Sequence, residues 1–272
     1  MITAYEVRRI AGIKGIDPGI VEKDYVLTKV LFAISAVGSL RPLVLKGGTA
    51  LRKFYFGEWR YSEDLDFSVS GDISMNVIIG ALEEVRELLS REFNLSVEVR
   101  RSHLVEDDGE RFARIDLRYT GPLMKSSNVK SRLRLDISFD ERVIKAEERF
   151  CIGEYSDDRA FKLRVYSLEE ILAEKLRSIL QRGKTRDYYD VWRMLKEHGG
   201  EIDPTLVRRI FLAKCEDKGL TWEGVNSLFS RGKTEAARSY WRRGLGYLVP
   251  ELPSFDVVIE EGRRLVTGIL GE

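Results

Sequence analysis

The segment Leu45–Val69, LKGGTALRKFYFGEWRYSEDLDFSV, joins a glycine pair to two closely spaced aspartates. The apolar residues of Pro42–Leu45 predict a short buried strand that runs into Gly47-Gly48. Thr49 is then expected to open a helix, and Arg60–Val69 alternates polar and apolar residues as a strand does. A strand, a glycine turn, a helix and a second strand therefore stand at the centre of the predicted fold.

The two aspartates, Asp64 and Asp66, are expected on one face of their strand. Since side chains alternate along a strand, Ser62 would share that face, while Leu65 and Phe67 would lie on the other. Two neighbouring carboxylates raise each other's cost of ionisation, and a divalent cation such as Mg²⁺ relieves it. A solvated strand face with two exposed aspartates is the alternative, because so short a motif is not specific.

The glycine turn is typical of a phosphate-binding loop. Gly47 and Gly48 lack Cβ atoms, so their backbone can bend sharply and bring N–H groups close to a phosphate. The start of the following helix would favour an anion, and Thr49 could cap that helix or bind a phosphate oxygen. A simple strand–turn–helix joint with a threonine cap is the alternative.

Two further aspartates are candidates for a third carboxylate. Asp116 in RIDLRY and Asp136 in RLRLDISF each lie on the polar face of a predicted strand. The local pattern does not separate them.

The chain after Ser167 is predicted to be mainly helical, beginning with a capping box formed by Ser167 and Glu170. Lys175 falls inside the apolar stripe of this helix, whereas Arg177 does not. A lysine on the inward face pairs with a buried acid, extends its charge to solvent or reaches a bound phosphate.

In the next predicted helix, the apolar face leaves two aspartates in different positions. Asp187 lies at the helix start, where the helix dipole favours an acid, and Asp190 is expected to point away from the apolar face. Capping and solvation are sufficient to explain both.

The composition indicates a globular protein with no global attraction to nucleic acid. The 272 residues are 43% hydrophobic and 33% charged, with a net charge of +1, so any RNA contact must come from a local patch. The two cysteines are far apart and favour a reducing cytoplasm. We find no signal-peptide core at the N-terminus and no apolar run long enough to span a bilayer, so a cytoplasmic protein without a membrane segment is expected.

The predicted order of elements is N-terminal helices, a mixed α/β core and a helical tail, which indicates an α+β fold. We place one domain at residues 1–160 and a helical domain that completes the site at 161–272. Within the core, a turn is expected at Glu106–Gly109 and a loop at 120–130.

Six segments together resemble one protein family. These are EKDYVLTKVL at Glu22–Leu31, GGTAL, RYSEDLDF, RLRLDISF, EEILAEKLRSIL and TRDYYDVW, in this order. They resemble the AbiEii/AbiGii nucleotidyltransferases, toxins of type IV toxin–antitoxin or abortive-infection systems, beside which the MenT-like toxins belong. The resemblance covers roughly residues 20–195.

The resemblance implies a site related to that of DNA polymerase β-type nucleotidyltransferases. It assigns Asp64 and Asp66 to the metal-binding pair and selects Asp136 over Asp116 as the third carboxylate, which also binds metal and can take the proton of the acceptor hydroxyl. The other matched positions are Gly47, Gly48 and Thr49 in the triphosphate motif with Ser62 beside the nucleotide, Lys175 facing the phosphates, and Asp187 in a downstream motif.

The implied reaction moves a nucleotidyl group from an NTP to an acceptor hydroxyl on RNA, with tRNA 3′ ends as the expected acceptor. Mg²⁺ is the expected cofactor, with Mn²⁺ as an alternative, and an antitoxin is the implied partner. Two other classes stay open: a catalytically silent NTP-binding protein that acts through a partner, and a metal-dependent phosphohydrolase or nuclease that uses the same carboxylates.

Local basic runs are available for RNA contact. They are Arg52-Lys53, Arg100-Arg101, Arg182–Arg186, Arg208-Arg209 and Arg242-Arg243, with Tyr188, Tyr189, Trp192 and Trp241 as candidates for base stacking. Solvated helix faces and core aromatic residues are the alternative interpretation.

Overall fold

A computed structural model describes residues 1–107, 110–124 and 131–271. Two compact units are present, Met1–Tyr166 and Ser167–Glu272. Asp108 and Gly109 of the predicted turn, and residues 125–130 of the predicted loop, lie outside the described residues.

The first unit combines helices with one mixed sheet. Its helices are α1 (Ala4–Lys14), α2 (Pro18–Ala36), α3 (Gly47–Ala50) and α4 (Met75–Phe93), with a 3-10 turn at Gly38–Leu40 and a π-helical segment at Leu51–Phe56. Its strands are β1 (Leu43–Lys46), β2 (Asp64–Val69), β3 (Ser96–Asp107), β4 (Glu110–Thr120), β5 (Arg132–Ser138), β6 (Ala146–Phe150) and β7 (Lys162–Tyr166).

The strand order in the described sheet is β3-β4-β5-β2-β1-β7-β6. β2 runs parallel to β5 and β1 parallel to β7, while the other neighbours are antiparallel. The predicted mixed sheet is therefore confirmed. The sequence did not predict β6 or β7, which pair with each other at one edge.

The predicted N-terminal helices are present and are bounded by local caps. Asp17 accepts a hydrogen bond from the Gly19 N–H, and Pro18 occupies the first turn of α2. Gly15 closes α1 in a left-handed conformation with φ +62°. α2 packs against α4 and β7, and most of its side chains are buried, so it forms part of the core of this unit.

The second unit is helical, as predicted. Its helices are α5 (Leu168–Gln181), α6 (Thr185–His198), α7 (Pro204–Asp217), α8 (Arg231–Leu245) and α9 (Phe255–Leu270), with 3-10 turns at Gly199–Glu201 and Val225–Ser227. The Ser167 half of the predicted capping box is present, because Ser167 Oγ accepts from the Glu170 N–H at 3.3 Å, while the Glu170 carboxylate lies 3.1 Å from Lys214 Nζ. In the part of the chain that the structure describes, no helix combines the length and the apolar character needed to cross a bilayer.

Burial on α5 extends beyond its apolar stripe. Arg177, placed outside the apolar stripe, is 1% exposed. The reason is that α5 packs against both α6 and α7, so more than one of its faces is covered.

Candidate active site

The glycine turn lies directly against one of the aspartates. At the end of β1 the chain enters α3 at Gly47, whose φ is +72°. A Cβ atom on Gly47 would lie 2.8 Å from Asp66 Oδ2, and one on Gly48 would lie 2.8 Å from a guanidinium nitrogen of Arg60. Both the backbone conformation and the close approach therefore require glycine at position 47.

Thr49 does not cap the helix, which was one of the two roles open to it. α3 begins at Gly47, and Lys46 is its N-cap residue. The Thr49 hydroxyl instead donates to the Asp64 carbonyl oxygen at 2.6 Å, and the side chain is buried. Because its proton is used in this way, Thr49 fixes α3 to the first residue of β2.

β2 is shorter than expected but keeps the expected alternation at its start. It begins at Asp64, so Ser62 precedes the strand and does not share a strand face with the aspartates. Leu65 and Phe67 are fully buried, whereas Asp64 and Asp66 remain partly exposed.

The sheet register separates the two candidates for the third carboxylate. Asp136 on β5 lies directly opposite Asp66 on the neighbouring parallel strand β2. Asp116 lies on β4, one strand further away, opposite Arg134, and its carboxylate is 3.8 Å from the Arg134 Nε. Both aspartates face an arginine across the β4–β5 pair, but only Asp136 has a second carboxylate, that of Asp66, on its other side.

A row of four charged residues crosses the sheet at this level. Lys46 on β1 lies opposite Asp66, and Arg114 on β4 lies opposite Asp136, so two cations flank the two carboxylates. Arg114 Nε and Nη2 donate to both oxygens of Asp136 at 3.0 and 2.9 Å. Lys46 Nζ also lies 2.8 Å from Glu141 Oε2.

Neither cation of this row was predicted from the sequence. Arg114 stands two residues before Asp116 in ARIDLRY, and only the register shows that it meets Asp136 instead. Lys46 precedes the glycine pair and was assigned no role, although its position at the end of β1 fixes it beside the turn.

The aspartates offer the kind of ligand that Mg²⁺ prefers, since carboxylate oxygens are hard donors. Among the residues that the structure describes, however, no three acidic, histidine or cysteine side chains are grouped to hold a metal ion. Both Asp136 oxygens accept from Arg114. The donor chemistry therefore fits a divalent cation, and a three-carboxylate site would require Asp136 to turn away from Arg114.

A buried charge cluster holds the segment that follows the turn. Asp24 of α2 accepts from Arg52 Nε at 2.8 Å, from Lys53 Nζ and from the Tyr155 hydroxyl at 2.6 Å. Glu154 bonds the same two cations from the other side. Burial alone would raise the pKa of Asp24, but the charges of Arg52 and Lys53 lower it to about 2. α2 thereby anchors the π-helical segment. Arg52 and Lys53 are too deeply buried to contact RNA.

In the second unit, Lys175 lies between two aspartates. Its Nζ is 3.2 Å from Asp187 Oδ1 and 2.6 Å from Asp190 Oδ2. Lys175 is buried, as expected of a residue in the apolar stripe. Its ammonium group pairs with these two acids and does not extend to solvent.

The expectation for Asp190 was wrong. Its side chain is fully buried and pairs with Lys175. Positions 187 and 190 lie on one side of a helix. α6 also packs against α5, α8 and α9, so its buried surface is wider than the apolar stripe suggests. The predicted start of α6 at Asp187 is confirmed, since Asp187 lies in its first turn.

Comparison with protein families gives a match over most of the chain. The model described as "Nucleotidyl transferase AbiEii toxin, Type IV TA system" matches residues 29–261. The chain belongs to this family. The match extends beyond the segments of the sequence resemblance and takes in α7, α8 and part of α9. Membership supports an enzymatic nucleotidyltransferase activity and implies an antitoxin partner.

Among solved structures, the AbiEii-family chain is similar to MenT4, a nucleotidyltransferase toxin from Mycobacterium tuberculosis H37Rv. The two are 22% identical with a TM-score of 0.72, over 100% of this chain and 91% of the other. At this identity the similarity shows the fold. A search of curated protein sequences gave no match.

Proposed function

We propose that this AbiEii-family protein transfers a nucleotidyl group from an NTP to a hydroxyl of an RNA acceptor, with the 3′ end of a tRNA as the expected acceptor. The observation that carries the proposal is the opposed pair Asp66 and Asp136 beside the turn at Gly47. Like charges placed side by side destabilise a sheet, so their presence calls for a role in binding a cation.

Asp64 and Asp66 would hold Mg²⁺, or Mn²⁺ as the alternative, through their carboxylate oxygens. When bound, the ion would neutralise charge on the triphosphate and polarise the reacting phosphorus. In the protein alone, Lys46 and Arg114 flank Asp66 and Asp136 and compensate the negative charge of these two carboxylates.

Asp136, the third expected metal ligand, would also accept the proton of the attacking hydroxyl, a role that suits a carboxylate beside the reacting group. Both of its oxygens accept from Arg114, so one of these hydrogen bonds would be given up when the proton is taken. Arg114 is thus a positioning residue in the proposal, because it fixes the plane of the carboxylate.

The turn at Gly47 and Gly48 would present backbone N–H groups to the triphosphate. Thr49 would support the turn through its bond to the Asp64 carbonyl. Three assignments rest on the resemblance and stay predictions: Ser62 beside the nucleotide, Lys175 offsetting phosphate charge, and Asp187 in the downstream motif. Asp187 and Asp190 would keep the Lys175 ammonium group in place.

The proposal is tested by incubating the protein with Mg²⁺, each labelled NTP in turn and total tRNA, followed by a denaturing gel. Labelled, lengthened RNA is the expected product, and Asp66→Ala should abolish it. Cleaved RNA would instead indicate a nuclease or phosphohydrolase that uses the same carboxylates. NTP binding without any product would indicate a silent NTP-binding protein.

A further inference from the structure

The charge on α8 is one-sided. Its sequence, RGKTEAARSYWRRGL, carries five basic residues and one acidic residue. The whole chain has a net charge of only +1, so this helix is a local excess of positive charge. A protein without a global field binds a polyanion through such a patch.

The basic residues in the first part of α8 already have partners. Arg231 pairs with Glu235 at 2.7 Å, and Arg238 pairs with Asp256. Lys233 Nζ donates to the Ser227 carbonyl at 2.9 Å and also to the Leu180 carbonyl, so its ammonium group is bound to the backbone. Their charges are therefore largely used within the protein.

The last turn of α8 differs from the first. Arg242 and Arg243 are both exposed, and neither forms an ion pair with any residue that the structure describes. The guanidinium carbon of Arg243 lies 5.8 Å from the centre of the Tyr240 ring. Two adjacent cations thus face solvent without a counter-charge.

Two exposed tyrosines accompany these arginines. Tyr240 is 58% exposed and Tyr247 is 39% exposed, so both rings are accessible for stacking. The aromatic residues that the sequence offered for stacking, namely Tyr188, Tyr189, Trp192 and Trp241, are instead buried in the core of the unit. Of the two interpretations open to them, the structure supports core aromatic residues over base stacking. We call Tyr240, Arg242, Arg243 and Tyr247 together the α8 surface.

The α8 surface is attached to the start of α6. Arg186 Nη2 donates to the Tyr247 hydroxyl at 2.6 Å, and Arg186 Nε donates to the Gly244 carbonyl at 3.3 Å. Thr185 Oγ1 donates to the Ala237 carbonyl at 3.1 Å. Because Asp187 follows directly in the chain and contacts Lys175, the surface adjoins the Lys175 cluster within the same unit.

We propose that the α8 surface binds the RNA acceptor, a step that rests on the proposed function. Arg242 and Arg243 would contact backbone phosphates, and Tyr240 and Tyr247 would stack on unpaired bases. The combination favours RNA over an acidic protein, because exposed aromatic rings beside guanidinium groups match bases and phosphates at the same time.

The chain supplies a matched control for this proposal. Arg208 and Arg209 on α7 are also an adjacent exposed pair without an ion pair to a described residue. No exposed tyrosine belongs to that helix. Reversing both charges in either pair changes the net charge equally, so a general electrostatic effect would weaken RNA binding alike in both variants.

The test is tRNA binding by fluorescence anisotropy in the full chain at several salt concentrations. Arg242→Glu/Arg243→Glu should weaken binding about tenfold or more, and Arg208→Glu/Arg209→Glu about twofold or less. Arg242→Gln/Arg243→Gln should reduce the salt slope by about two, and Tyr240→Ala should weaken binding about fivefold or more. Circular dichroism and thermal melting confirm that each variant folds.

Equal losses in the two arginine pairs would overturn the proposal, as would polyglutamate competing as strongly as tRNA, since that result indicates an acidic protein as the occupant. The RNA-extension assay separates this proposal from the proposed function. If the wild type extends RNA and Arg242→Glu/Arg243→Glu extends it equally well at limiting RNA, only the α8 proposal fails. If the wild type binds tRNA through this surface but transfers no nucleotide, the proposed function fails.

Discussion

Asp66 on β2 lies directly opposite Asp136 on β5, across a parallel strand pair. The two carboxylates have Lys46 on one side and Arg114 on the other. Asp116 and Asp136 each face an arginine across the β4–β5 pair, but only Asp136 also lies beside a second carboxylate, Asp66. The register thus gives a physical reason to treat Asp66 and Asp136, and not Asp116, as the functional pair.

Replacing Gly47 with alanine should destabilise the protein. The residue has φ +72°, and the new Cβ would lie 2.8 Å from Asp66 Oδ2. We expect a loss of about 1–3 kcal/mol in the free energy of unfolding, measured by urea denaturation. Gly12→Ala in α1 is the control: its Cβ meets nothing, so a gain of roughly 0.5–1 kcal/mol is expected. Equal effects at the two positions would contradict the geometry of the turn.

Asp24 should be needed for folding stability. Asp24→Ala would leave Arg52 and Lys53 buried with less negative charge, at a cost of about 3–5 kcal/mol. Asp256→Asn breaks the exposed pair with Arg238 and should have a much smaller effect, because solvent screens that pair. Denaturant titrations of both variants measure the difference.

The Asp24 cluster also gives a pH dependence. The folded-state pKa of Asp24 is about 2, below its ordinary value of 3.8. A lowered pKa contributes stability that is present above the ordinary pKa and is lost as the pH falls toward the folded pKa. Roughly 2 kcal/mol should therefore disappear between about pH 5 and pH 2, and this part should be missing from Asp24→Asn. An unchanged acid profile in that variant would refute the assignment.

The Lys175 cluster should show unequal dependence on its two acids. Lys175→Met leaves Asp190 buried without this cation and should cost about 3–5 kcal/mol. Asp187→Asn changes a more exposed partner at a longer distance, so a cost of about 1 kcal/mol is expected. Asp190→Asn should destabilise more than Asp187→Asn in thermal melts. The reverse order would show that the pairing is wrong.

Arg114 should compete with a metal ion for Asp136. Its guanidinium group occupies both carboxylate oxygens. Arg114→Gln should therefore tighten Mn²⁺ binding about tenfold, which corresponds to roughly 1.4 kcal/mol in binding free energy. Isothermal titration calorimetry without nucleotide measures this directly. Arg100→Gln, an exposed arginine of β3, is the control and should leave Mn²⁺ affinity unchanged. Weaker Mn²⁺ binding in Arg114→Gln would show that Arg114 supports the metal site.

Local patterns allowed much of the fold to be predicted. The cap at Ser167 is a short-range signal, and the structure contains it. β6 was missed because AEERF is a short, charged edge strand whose existence depends on pairing with β7. No local pattern carries that pairing.

The candidate site could be predicted only in part from the sequence, because its contacts also depend on strand pairing. The alternation in SEDLDF places Asp64 and Asp66 together, but the partner of each residue across the sheet is a property of the register. Arg114 and the burial of Asp190 could not be predicted, because each depends on a contact with a distant segment.

The role of Asp66 in nucleotidyl transfer is tested most directly by comparing two aspartates of the same sheet. Asp66→Asn and Asp116→Asn each remove one charge, and only Asp66 lies beside the glycine turn and opposite Asp136. Incorporation of labelled NTP into tRNA should fall at least about a hundredfold in Asp66→Asn, as expected for loss of a group that stabilises the transition state. Asp116→Asn should stay within about threefold of the wild type. Undiminished incorporation by Asp66→Asn, or an equal loss in both variants, would contradict the account.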